Sequence, residues 1–75
     1  MDDVTLPTVG LIAEVREQVF RISRLTADTY GVVRVTDNVL VGTFAHSHGQ
    51  LQVRAENVDV SLMAEIAAIA IRRGL

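Results

Sequence analysis

Between Thr8 and Arg24 the apolar residues Ile12, Val15, Val19 and Ile22 recur at three- and four-residue intervals, with Leu11 and Leu25 beside them. That spacing predicts one helix with an apolar stripe. Pro7 suits its first turn, Thr5 or Thr8 can cap it, and Glu17 stands four residues before Arg21 in the favourable order. Gly10 and the β-branched residues lower its intrinsic propensity, so packing has to hold it. Val9 and Phe20 flank the stripe and widen the apolar face.

From Tyr30 the period changes to two, which predicts three strands, about Tyr30 to Thr36, Val39 to Ala45 and Gln50 to Glu56. Asp37-Asn38 is expected to close the first hairpin as a two-residue turn, with Asn tolerating positive φ. His46 to Gly49 is expected to close the second. Pairing Thr36 with Val39 and Ala45 with Gln50 gathers Val33, Val35, Leu40, Phe44, Leu51 and Val53 on a core face. The opposite face then carries Tyr30, Val32, Arg34, Val39, Val41, Thr43, Gln52, Arg54 and Glu56, polar with an apolar middle. Gly42 fits a bulge or close packing under a helix.

Asp59 or Ser61 can cap a second helix that runs to about Arg73, with Leu62, Met63, Ile66, Ile69 and Ala70 on one face and Gly74 as a stop. Ile71 falls nearly opposite, among Ala64, Ala67 and Ala68. The expected fold is therefore α+β, a two-layer helix, three-stranded antiparallel meander and helix, forming a single α-β-β-β-α domain over residues 1–75.

Composition adds a surplus. Nearly half of the 75 residues are apolar, and a chain this short hides only about 60% of its unfolded surface. An oligomer or partner is the expected home for the remainder. Without cysteine there is neither a disulfide framework nor a Cys-type zinc site. No apolar run approaches the roughly 20 residues needed to span a bilayer, and the acidic start Met1-Asp2-Asp3 has the wrong sign for a secretory leader. The chain reads as cytoplasmic, with no membrane partner.

Chemistry is sparse. Ser47 lies between His46 and His48, but neighbouring residues of a strand point to opposite faces, so no nucleophile meets its base and no enzyme is expected. His46 and His48 could reach one ion, yet a structural zinc needs four ligands and no third is nearby in sequence. They read as turn residues, and neither metal nor other cofactor is expected. All seven basic residues are Arg and the net charge is −2, so nucleic-acid affinity would have to come from local clusters.

The stretches RLTADTYGVVRVT, GQLQVRAENVD and LMAEIAAIAIRRG, in this order and spacing, resemble the YbaB/EbfC family of small nucleoid-associated proteins. That resemblance implies a homodimer that binds duplex DNA with little sequence preference. Arg16, Arg21, Arg24, Arg34 and Arg54 are then the candidate phosphate contacts. The alternative is a protein–protein interaction module that uses the apolar middle of the open sheet face, Val32, Val39 and Val41, or the alanine-rich face around Ile71, to engage another protein.

Overall fold

The structure, a computed structural model, describes residues 10–74. It corrects the expected α-β-β-β-α layout: five antiparallel strands in the order β1-β2-β3-β4-β5 are followed by one helix. The strands are β1 Leu11–Val15, β2 Gln18–Arg24, β3 Thr29–Arg34, β4 Val39–Ser47 and β5 Gln50–Ala55, and α1 spans Val60–Arg72. No cis peptide bond occurs among the described residues.

The segment expected to be the first helix is the β1–β2 hairpin. Its turn is Arg16-Glu17, both with positive φ (53° and 66°), and Val15 pairs with Gln18. Two consecutive left-handed residues make the type I′ turn whose twist matches the flanking strands. Alternation then buries Ala13, Val15, Phe20 and Ile22 on one face and leaves Ile12 and Arg21 exposed on the other. The caps and first turn assigned to Thr5, Pro7 and Thr8, and Val9 beside them, lie outside the described residues. A Glu17→Gly substitution separates the two structures by sign. In this turn, glycine relieves the left-handed backbone and is expected to raise stability by about 0.5–1 kcal/mol, whereas inside a helix it costs about 1 kcal/mol. Urea denaturation measures the difference.

The three expected strands form close to their expected bounds, but the register differs. The β3–β4 connection is the four-residue loop Val35–Asn38, closed by the Asn38 amide donating to the Arg34 carbonyl (2.8 Å), with Asn38 at φ 59°. Strand β4 then carries one extra residue: Val32 pairs with Gly42, Val33 pairs with Leu40, and Val41 is the bulge between them. The Val41 carbonyl accepts from the Glu56 amide (2.8 Å) and the Asn57 amide (3.3 Å), and the Asn57 side chain donates to the Leu40 carbonyl (2.7 Å). The bulge exchanges the faces. Tyr30, Val32 and Val41, expected on the open side, are buried, while Val35 and Leu40, expected in the core, are exposed. The second hairpin turns on His48-Gly49 (φ 53° and 73°) with Ser47 opposite Gln50, so His46 sits in β4 rather than in a loop. This moves pairing by two residues and keeps Phe44, Leu51 and Val53 on one face.

The helix crosses that face, packing on β1, β4 and β5. Leu62, Met63, Ile66, Ala67 and Ala70 enter a core built around Phe20, Ile22, Val32, Val41 and Phe44. Tyr30 and Phe44 stack with ring centroids 5.1 Å apart. Gly42 is the point of closest approach: a Cβ there would stand 2.4 Å from the Arg54 carbonyl oxygen and 2.8 Å from Met63 Sδ. Arg16 pairs with Glu65 (3.1 Å), and Arg73 donates to the Ile12 carbonyl on the outer edge of β1 (2.9 Å), tying both ends of the hairpin to α1. Gly74, at φ 99°, follows the last turn as the expected stop.

Candidate interaction surface

The helix covers one side of the sheet and leaves the other open among the described residues. Cross-strand pairing orders that open face into rows. Glu14 lies beside Val19, which bonds through its carbonyl to the Val35 amide (2.9 Å). The next row reads Ile12, Arg21, Val33 and Leu40. Ser23, Gly31, Thr43 and Arg54 follow, and Thr29, Ala45 and Gln52 complete the set. Leu25, in the loop after β2, folds back over Gly31, approaching its Cα hydrogens to where a Cβ would lie 3.2 Å from Leu25 Cδ1.

Ile12 is 53% exposed, Leu25 58%, Leu40 45% and Val35 43%. Solvated faces of antiparallel sheets normally alternate toward polar residues. Here an aliphatic stripe follows the middle strand, from Val35 and Val33 to Leu25 over Gly31, with Val19 and Leu40 at its sides. Glu14, Arg21 and Ser23 flank it toward β1, and Thr43, Gln52 and Arg54 flank it toward β5. A shallow depression of about 250 Å3 lies between the latter flank and Thr29. It is smaller and more open than the pockets that enclose small ligands.

The five candidate phosphate contacts do not converge. Arg16 is at the β1–β2 turn in its pair with Glu65. Arg24, at the end of β2, lies over the Tyr30 ring, 5.7 Å from its centroid, and donates to the Tyr30 hydroxyl (3.4 Å). Arg34 forms a two-pronged pair with Asp37 in the β3–β4 loop, with contacts of 3.0–3.3 Å. Arg21 and Arg54 do share the open face, three strands apart, which is roughly 14 Å at the usual spacing. Arg34 and Arg54, expected on one face with Val41, are not neighbours: Arg34 pairs with Val39, and Arg54 with Thr43. Of the expected interface residues, Val32 and Val41 are fully buried and present no surface, while Val39 and Ile71 are half-buried. Val33, Val35 and Leu40, expected in the core, make the open stripe instead. The bulge at Val41 reverses the alternation, and the apolar run Val39-Leu40-Val41 carries no signal of it.

Hydrogen bonding to Arg34 holds the Asp37 carboxyl below its ordinary value, and the Ser61 hydroxyl, donating to Asp59, does the same there. Both residues are exposed. A lowered carboxyl value means that the loop gains from the Arg34–Asp37 pair above the ordinary carboxylate range and loses it as pH falls through the folded-state value. A carbon-detected NMR titration is expected to place the Asp37 carboxyl below the ordinary carboxylate value, with Asp37→Asn removing the accompanying shift of the Arg34 guanidinium.

His46 and His48 lie in β4 and in the following turn, and no group of three or more His, Asp or Glu side chains able to hold a metal occurs among the described residues. No helix of the described residues is long and apolar enough to cross a membrane. Of the three stretches that carried the family resemblance, GQLQVRAENVD forms β5 and the bend after it and LMAEIAAIAIRRG lies in α1 and its cap, whereas RLTADTYGVVRVT leaves a strand rather than a helix. No family model matches the sequence, and no curated protein or solved structure is significantly similar to it.

Proposed function

We propose that this chain is a small non-enzymatic binding module that engages another protein surface through the open face of its sheet. The observation that carries this reading is the aliphatic stripe along the middle strand, left in solvent while the opposite face holds a complete core. Contiguous apolar surface rimmed by polar groups is the usual mark of an interaction site. The stripe residues serve little in the isolated fold. Leu40→Ser and Val35→Ser are each expected to change the unfolding free energy of dilute protein by less than about 1 kcal/mol, the range of surface substitutions. A loss of 2 kcal/mol or more would make them structural and remove the reason to assign them to a partner.

Duplex DNA is the second reading, favoured by Arg21 and Arg54 on the same face and by the YbaB/EbfC-like stretches. It rests on two separated guanidinium groups in a domain of net charge −2, with Arg16 and Arg34 already in ion pairs. A gel shift on nonspecific duplex decides it. Binding near 50 mM salt that weakens steeply as salt rises, and that is lost in the Arg21→Ala, Arg54→Ala double variant, would support DNA. No shift at low salt would sink it.

A further inference from the structure

We infer that the occupant of the open face is a second copy of this chain, packed sheet to sheet about a two-fold axis running along β3. The inference rests on the reading of that face as an interaction surface and names what covers it. Two observations carry it: the position of the stripe and the size of the face.

The stripe lies on the third of five strands. A two-fold axis along the central strand superposes such a stripe on itself, Val33 over Val33 and Leu25 beside Leu25, and brings the β1–β2 flank of each copy over the β4–β5 flank of the other. This is the self-complementarity an isologous interface requires.

Five strands about 4.8 Å apart and outward rows about 6.8 Å apart make a face of roughly 24 by 20 Å, or about 500 Å2 per copy before corrugation. Two such faces reach about 1,000 Å2, the lower limit of a specific interface, only when each is covered completely. A docked helix, about 10 Å across, would cover two strands. A second sheet of the same width covers all five, and its aligned packing about 10 Å away is the ordinary geometry of a β-sandwich.

The β1–β2 flank carries both Glu14 and Arg21, and the β4–β5 flank carries Arg54 two rows further along the strands than Glu14, so charge does not select the pairing. A nucleic acid would meet Glu14 as a repulsive group. The helices lie on the two outer sides, and the resulting assembly has four layers: helix, sheet, sheet, helix. The outer edge of β1, occupied by Arg73 on the Ile12 carbonyl, is closed at that point to edge-to-edge pairing.

The chain has no cysteine, so single cysteines report contacts without background. The full chain is measured by light scattering over a concentration series, alongside Leu40→Asp, and Val33→Cys and Ala68→Cys are each treated with a short bismaleimide. A dimer is expected, with Leu40→Asp weakening it at least tenfold while circular dichroism and the melting transition stay those of the parent. Val33→Cys is expected to crosslink efficiently, and Ala68→Cys, on the exposed helix surface, only at background level. Should Leu40→Asp fail to fold, Val35→Asp at the loop end of the stripe replaces it. A parent chain that stays monomeric at about 500 µM would overturn the second copy as occupant and leave the face to a different protein. A dimer that withstands the stripe substitutions and crosslinks through Ala68→Cys would overturn both this inference and the role assigned to the face.

Discussion

Gly42→Ala is expected to destabilise the fold by about 3 kcal/mol or more, a large share of the 4–11 kcal/mol typical of a domain this size. The new methyl would meet the Arg54 carbonyl oxygen at 2.4 Å and Met63 Sδ at 2.8 Å. Met63 can turn aside, being flexible, but the carbonyl belongs to the backbone of β5, which is paired to β4 at this position through Gly42 and Ala55. Relief requires the strands to part or the helix to lift. The bulge at Val41 compounds the cost, because the Glu56 and Asn57 amides that satisfy its carbonyl come from the same stretch of chain. Urea denaturation with an unchanged slope would show the loss. A change below 0.5 kcal/mol would mean that the helix does not rest on Gly42.

Phe20→Ala is expected to cost about 3–5 kcal/mol, and Val19→Ala less than about 1 kcal/mol. Phe20 is fully buried, opposite Ala13 on β1 and Arg34 on β3, while Val19 is half-exposed on the open side. The comparison is sharp because the two structures of this segment rank the residues oppositely. On a helix, Val19 belongs to the buried stripe with Ile12, Val15 and Ile22, and Phe20 stands to one side. On a strand, Phe20 and Ile22 go inward with Ala13 and Val15, and Val19 and Ile12 go outward. Equal losses at the two positions, or a greater loss at Val19, would contradict the hairpin.

That segment shows what the sequence could convey and what it could not. Leu11, Ala13 and Val15, then Phe20 and Ile22, alternate with period two, yet with Ile12 and Val19 apolar as well the same residues also satisfy a period near 3.6. The turn that breaks the ambiguity is occupied by Arg16 and Glu17, residues that give no turn signal, although both stand in the left-handed region. The β-branched residues Ile12, Val15, Val19 and Ile22 were the available clue, since they favour strands and crowd a helix. The three later strands and the last helix were legible because Asn38, Gly49, Asp59 and Gly74 mark their ends.

Register was less legible. Assigning Asp37-Asn38 as a two-residue turn put Thr36 opposite Val39, whereas Arg34 takes that place and Val41 bulges beyond it. A bulge leaves no trace in a hydrophobic pattern, because a single extra residue preserves composition and only changes which side each valine faces. For this reason Val32 and Val41 were expected on the surface and lie in the core, while Val33, Val35 and Leu40 moved the other way. The ion pairs Arg16–Glu65 and Arg34–Asp37 join residues whose contact depends on this topology or on this loop, so the same arginines read as free cations in the sequence.

The role of the open face is tested most directly by methyl NMR of the full chain in the presence of a soluble paramagnetic probe, recorded from dilute to concentrated protein. The methyls of Val33, Val35 and Leu40 are expected to be broadened by the probe in dilute solution and to become protected as concentration rises, while Val60, 62% exposed at the start of the helix, stays accessible throughout. Open-face methyls that remain as accessible as those of Val60 at every concentration would contradict the second copy as occupant of the face, and protection that appears at Val60 instead would contradict the role assigned to the face itself.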